Sequence, residues 1–218
     1  MTEVLESIAM SKKKIVFVVG MHRCGTSLLS SYLASLGYDL GKSEDKTKDV
    51  VNPLGYFENS RLTELHDQML AHNGVSWDTA STADLSYTRQ HIEDYSKIIN
   101  QDFRGNKIVI KDPRLSFFTG FINDLVLENK LDVKIIFCTR NKKEVVQSLM
   151  KAQHRGVDMC EKLYEDTHKC FSDEMLKISY NDHIVNQENT QRKICEFLGD
   201  RYETTQLVNE TLYRSRHV

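Results

Sequence analysis

The tightest constraint on the fold of this chain lies near its start. Lys14–Val19 (KIVFVV) is a short apolar run rich in β-branched residues, the mark of a strand buried on both faces. Gly20, four loop residues and Gly25 follow. Ser27–Leu36 then sets Leu28, Leu29, Tyr32, Leu33 and Leu36 at helical spacing, with Gly37 placed to end the helix. A strand, a glycine-flanked loop and an amphipathic helix are the parts of a phosphate-binding loop. The signature G-x-x-x-x-G-K-[ST] is met at Gly20, Gly25 and Ser27, but Thr26 stands where the lysine belongs, and Arg23 puts a cation inside the loop instead.

Such a loop binds anions because the first amides of a helix point outward unpaired, at the positive end of its dipole. Gly20 and Gly25 let the backbone wrap closely, and Thr26 and Ser27 add hydroxyl donors. In nucleoside triphosphatases the lysine reaches the β- and γ-phosphates, and Mg²⁺ is held by the Ser/Thr and a strand-end Asp. Here the lysine is missing, and the available acid, Asp112, is crowded by Pro113 and Arg114. Phosphatase chemistry on Cys24 fails on spacing: C-x-x-x-x-x-R needs an arginine where Ser30 stands. Cys24 beside Arg23 at a helix start suits a lowered thiol pKa, but the simpler reading is a small residue filling a tight turn. Sulfuryl transfer asks for less. The moving SO₃ group carries less charge than PO₃, so a fixed cation near the bridging oxygen and donors on the leaving phosphate suffice.

Strands and helices alternate along the rest of the chain. Lys107–Ile110 (KIVI) and Lys134–Cys138 (KIIFC) read as further buried strands, and Met175–Tyr180 as another. Arg61–Asn73, the segment opened by Asn141-x-x-Glu144, and residues 158–171 and 188–198 read as helices; 41–60 reads as a long loop. The expected fold is α/β: a parallel β-sheet flanked by helices, a three-layer sandwich like that of P-loop nucleotide kinases. Ligands of such sheets sit beyond the carboxyl ends of the strands, so the loops after Val19, Ile110 and Cys138 should share one edge. With two prolines and no repeat or linker among 218 residues, the division expected is a flexible lead-in, 1–11, and one domain, 12–218.

A net charge of −2 argues against a nucleic-acid partner, so any anion site must be local. Five scattered cysteines without a C-x-x-C pair form neither a disulfide framework nor a zinc site. No apolar run reaches the length of a membrane span, and MTEVLESIAMSKKK lacks the apolar core of a signal peptide. The expected location is the cytoplasm, unless the chain is a trimmed lumenal domain. The oligomeric state is not legible.

A second anion element follows the third strand. In TRNKKEVVQSL, Arg140 lies just past the strand end and Ser148 eight residues on, along a helix. With the altered loop, this pair resembles the sulfotransferase superfamily, whose members use 3′-phosphoadenosine 5′-phosphosulfate. RCGTS (Arg23–Ser27) is similar to the family's 5′-phosphosulfate loop, and Arg140 with Ser148 to its 3′-phosphate element. GMHRCGTSLL, NPLGYFEN, KDPRLS, CTRNKKEVVQSL and KISYNDHIVNQENTQRKICEFLG occur in the order of the short, mostly bacterial branch, from Lys14 to the end. Three departures stand out. Cys24 replaces a serine, Asn181 replaces the glutamate after Tyr180, and the R-K-G loop near the 3′-phosphate is absent, with Arg214 or Arg216 as candidate substitutes.

The resemblance implies a donor site made by His22, Arg23, Cys24, Gly25, Thr26, Ser27, Arg140 and Ser148. It implies release of 3′-phosphoadenosine 5′-phosphate, no metal, and a hydroxyl-bearing acceptor that is a glycan or small molecule. Glu58 is the expected base, with His22 and His66 as alternatives, and Lys111 with Arg23 the cations at the transferring group. A helix-start acid is the plainer reading of Glu58, and core packing that of Trp77, whose other role would be to stack on a sugar or on adenine. Arg114 reads as structural or as a contact for an acidic acceptor. Two other functions remain open on residues alone: a P-loop kinase or NTPase with a displaced basic residue, and an inactive nucleotide-binding scaffold.

Overall fold

The computed structural model describes residues 13–42, 56–80, 85–153 and 155–205. The lead-in 1–11, most of the loop 41–60, and Arg214 and Arg216 lie outside these residues.

Four parallel strands form one sheet in the order β2-β1-β3-β4: β1 (Lys14–Val19), β2 (Lys107–Lys111), β3 (Asp132–Thr139) and β4 (Leu176–Ser179). β1 is interior to the sheet, and Ile15, Val16, Phe17 and Val18 are wholly buried, as an unbroken apolar run requires. Val18 pairs with Lys111, Val19 with Phe137, and Thr139 with Ser179. In this register the loops beyond Val19, Lys111 and Thr139 lie along one edge, as expected. At the other end of the strands Asp200 gathers Lys14, Lys107 and Tyr38 at 3.1, 2.8 and 2.7 Å.

The helices that flank the sheet are α1 (Thr26–Ser35), α2 (Ser60–His72), α3 (Arg89–Asp102), α4 (Thr119–Asn129), α5 (Lys142–Gln153), α6 (Val157–His168), α7 (Tyr180–Val185) and α8 (Gln187–Leu198). The α/β architecture is therefore the one expected. Three of the helices, α3, α4 and α7, are additions to the sequence reading. α3 buries Ile92, Tyr95, Ile98 and Ile99 on one face, and its capping box pairs Thr88 with His91 rather than with Glu or Gln. α4 closes on Lys130 in the left-handed conformation, without the usual glycine.

The start of α2 is tied down by a capping asparagine. Asn59 Oδ1 accepts from Leu62 N at 3.0 Å. Asn59 Nδ2 donates to Asp102 at the end of α3 (3.1 Å) and to the Lys42 carbonyl (2.8 Å). Asp102 is buried, and Asn59 Nδ2 and Arg61, the latter at 3.1 Å, supply the partners that a buried polar group needs. The first turn of α2 is thus fixed to a neighbouring helix, and Glu58, the residue before Asn59, projects from a fixed point. Among the described residues no helix is long and apolar enough to cross a membrane.

Candidate active site

The loop between β1 and α1 is held from both sides. Gly20 has φ +130°, and a Cβ there would sit 2.4 Å from the Cys138 carbonyl oxygen. Gly25 has φ +94°, and its Cβ would meet Tyr180 Cδ2 at 2.4 Å. Both positions therefore exclude a side chain on two grounds, conformation and space. Arg23 also lies in the left-handed region, at φ 71°, a strained backbone for a residue with a Cβ. Thr26 begins α1, and no side chain caps the helix at Gly25, so its leading amides face the loop. Cys24 is buried; burial pushes its thiol up to about 12, against a weaker downward pull from Arg140. It fills the turn, the simpler of the two readings.

The side chain of Arg23 reaches the helix of the second anion element. Its Nε donates to Ser148 Oγ on α5 at 3.0 Å. Arg140 in turn donates from Nη1 to the Arg23 carbonyl at 3.4 Å, and its guanidinium carbon lies 4.4 Å from the centre of the Tyr180 ring. The same ring packs on Gly25, so Tyr180 touches both anion elements. Asn141 caps α5, accepting from Lys143 N (3.0 Å) and Glu144 N (3.4 Å). Glu144, expected to complete a capping box, instead accepts from Arg140 Nε at 2.8 Å. Tyr164 of α6 donates to the Arg140 carbonyl at 2.7 Å. The two elements, separated by over a hundred residues, thus form one continuous surface.

Glu58 stands one residue before the cap of α2 and follows Phe57, whose φ is +56°. Its carboxylate accepts from Lys111 Nζ at the end of β2. Lys111 is 5% exposed and Glu58 half-buried. Burial raises the Glu58 pKa, and the nearby Lys111 cation offsets only part of this. Glu58 is therefore a stronger base than an ordinary surface carboxylate. It lies directly before the cap of α2, where the plain helix-acid reading puts it, and its partner is a strand-end lysine.

His22 packs edge-on against Trp77, centroids 4.7 Å apart. Burial, then the Lys111 cation, lowers its pKa to about 3, so the ring is neutral at physiological pH. Trp77 is only partly buried; it leans on the core yet borders the site through His22. His66 is completely buried, and its Nδ1 lies 2.8 Å from Asp112 Oδ2. That removes it from the surface where an acceptor would bind. Arg114 has partners within the chain, as the structural of its two readings has it: its Nη1 donates to both Asp112 oxygens at 3.0 Å, and its Nε lies 2.7 Å from Asp67. The strand-end acid and the nearby arginine are committed to one another. Among the described residues no group of three or more His, Cys, Asp or Glu is placed to hold a metal ion.

Sequence reasoning does not single out Glu144 or Tyr180 as parts of the site, and it names His66, Asp112 and Arg114 separately without showing that they meet in one cluster. Glu144 is legible as an i,i+4 partner of Arg140; the others meet only in the fold.

The fold has solved counterparts. The sulfotransferase domain of the Synechococcus PCC 7002 olefin synthase is similar with a TM-score of 0.55 at 18% identity, over 88% of this chain and 74% of that one. A sulfotransferase domain from the curacin biosynthetic pathway gives 0.49 at 13% identity, over 88% and 75%. A sulfotransferase of Mycobacterium tuberculosis H37Rv gives 0.46 at 13%, over 99% and 79%. Among curated proteins no sequence relative matches. The family model of the sulfotransferase family matches residues 16–204, a span holding the loop, both anion elements and the Glu58–Lys111 pair, and the chain belongs to that family.

Proposed function

We propose that the protein transfers a sulfuryl group from 3′-phosphoadenosine 5′-phosphosulfate to a hydroxyl of a carbohydrate or other small acceptor. The observation that carries this reading is the join between the two anion elements. Arg23 of the loop bonds to Ser148, and Arg140 bonds to the Arg23 backbone. A ligand with one anionic group on the loop and a second within reach of Arg140 fits that surface; a bisphosphorylated nucleoside has this form.

The residues then divide the work. The uncapped start of α1, with Thr26 and Ser27, holds the 5′ end of the donor, and Arg140 and Ser148 hold the 3′-phosphate. The acceptor oxygen attacks sulfur while the bond from sulfur to the 5′-phosphate oxygen breaks. Glu58 takes the acceptor proton. Lys111 and Arg23 steady the charge that develops on the departing oxygen, and 3′-phosphoadenosine 5′-phosphate leaves. Lys111 serves Glu58 until then, so it exchanges one anionic partner for another. His22 and Trp77 form the wall beside this pair, where a flat apolar face of an acceptor can rest.

The competing kinase reading needs a strand-end acid to help hold magnesium, and Asp112 is engaged by His66 and Arg114. Calorimetric titration with 3′-phosphoadenosine 5′-phosphate, against ATP with Mg²⁺, tests the choice: binding of the bisphosphate alone is expected, and the reverse preference overturns the reading. The acceptor class is tested with sugars, phenols and aliphatic alcohols.

A further inference from the structure

The Glu58–Lys111 pair is backed by a second set of charges that the transfer step does not use. Asp112 follows Lys111 and opens the short 3-10 turn Pro113–Phe117, its Oδ1 accepting from Arg114 N at 2.9 Å. Both its oxygens also accept from Arg114 Nη1. That same nitrogen lies 4.0 Å from Glu58 Oε2. Arg114 therefore stands among three carboxylates: its Nη1 donates to Asp112, its Nε lies 2.7 Å from Asp67 Oδ1, and Glu58 is the most distant of the three. His66 holds Asp112 from α2, two turns beyond Glu58 on the same segment.

His66 is an odd residue for its place if packing were its only task. The ring is 0% exposed, 5.6 Å from the centre of the Tyr95 ring, and its Nε2 has no hydrogen-bond partner among the described residues. An unpaired buried nitrogen costs free energy that an aliphatic side chain would avoid. The return is the bond from Nδ1: an ionised carboxylate only accepts, so the ring proton must sit on Nδ1 and point at Asp112. Burial opposes the charge on Asp112, but His66 and Arg114 outweigh it and hold the carboxyl well below its ordinary pKa. A permanent negative charge is thereby kept beside Glu58.

We propose that Asp112, fixed by His66, is a positioning residue of the transfer reaction, setting through Arg114 where the Glu58 carboxylate lies and which charges face it. The proposal rests on the reading of Glu58 as the base. Among the described residues, the groups on and behind Glu58 include Lys111 from β2, Asp112 and Arg114 from the 3-10 turn, His66 and Asp67 from α2, and His22 from the loop after β1. Of these, the Asp112 carboxylate favours the protonated form of Glu58, and it also holds Arg114 Nη1 at 3.0 Å while Glu58 Oε2 lies 4.0 Å from that nitrogen. Replacing Asp112 with Asn removes the repulsion and releases Arg114 toward Glu58. Both changes favour the ionised carboxylate and make it a weaker base.

The test reads Glu58 directly. Carbon-13 NMR of carboxyl-labelled glutamate, with the Glu58 signal assigned by its loss in Glu58→Gln, gives its titration midpoint without any acceptor. In Asp112→Asn the midpoint should fall by about one pH unit, the scale of one close charge at a partly buried site. His66→Leu should move it the same way, because Asp112 then holds its charge less firmly. His66→Gln, which keeps a donor, should stay near wild type. An unchanged midpoint in Asp112→Asn, or equal midpoints for His66→Leu and His66→Gln should Asp112→Asn not fold, overturns the proposal and leaves Asp112 a turn cap. Binding of 3′-phosphoadenosine 5′-phosphate, measured on the same samples, bears on the donor reading alone. Its absence in wild type would sink that reading, while the Glu58 midpoint still decides the case of Asp112.

Discussion

Arg23 Nε lies 3.0 Å from Ser148 Oγ, so the cation of the phosphate loop is anchored on the helix that carries the second anion element. Arg140, at the start of that helix, returns the contact by donating to the Arg23 carbonyl. Loop and helix are therefore bound to one another at two points.

The 3′-phosphate should dominate nucleotide choice. Arg140 is oriented by Glu144, Tyr180 and the Arg23 carbonyl before any ligand arrives. A charge-assisted contact of this kind contributes about 1.5–3 kcal/mol, so adenosine 3′,5′-bisphosphate should bind at least about tenfold more tightly than AMP. Arg140→Ala should erase most of the difference in a calorimetric titration. Equal wild-type affinities would sink the assignment.

Binding and chemistry should separate at Glu58 and Arg23. Glu58→Gln keeps the shape and removes the base, and turnover should fall by about 10²–10⁴-fold with bisphosphate affinity unchanged. Arg23→Ala should impair both. Near-normal turnover of Glu58→Gln would leave His22 as the remaining candidate, to be assayed as His22→Ala.

Turnover should persist in EDTA. Asp112 is held by His66 and Arg114, which leaves magnesium without the acid it would need beside the loop. An absolute magnesium requirement in a steady-state assay would favour phosphoryl chemistry.

His22 should make stability depend on pH. Its pKa is lowered to about 3 in the folded protein from 6.5. Between these values the unfolded chain binds a proton that the folded one refuses, so the contribution is complete above pH 6.5 and is lost as the pH falls toward 3. Urea midpoints at about pH 5 and about pH 7.5, one inside that window and one above it, should differ less in His22→Asn than in wild type. The same difference in both proteins would show that another group governs the slope.

Much of the frame is legible in the sequence because local and global signals agree. KIVFVV reads as a buried strand and lies inside the sheet; Gly20 and Gly25 read as backbone necessities, and each faces an atom that forbids a Cβ. Asn141 and Ser148 fall at the cap and on the body of the helix they predict. What stays hidden depends on long-range packing. α3 has a buried face, but its capping box uses His91 where a reader looks for Glu or Gln. Glu58 and Lys111 meet because Asn59 ties α2 to Asp102, a relation no window of sequence contains. His66 has the residue type of a base; only its complete burial shows that it serves a carboxylate instead.

The position of β1 inside the sheet has a consequence for synthesis. Its partners β2 and β3 begin about 90 and about 120 residues later in the chain, so both edges of KIVFVV stay unpaired while that length is made. At about 5–20 residues per second, this apolar strand waits on the order of ten seconds before either neighbour exists. Throughout that interval it is the segment of the nascent chain most in need of shelter, and the residues that later cradle an anion are attached to its end.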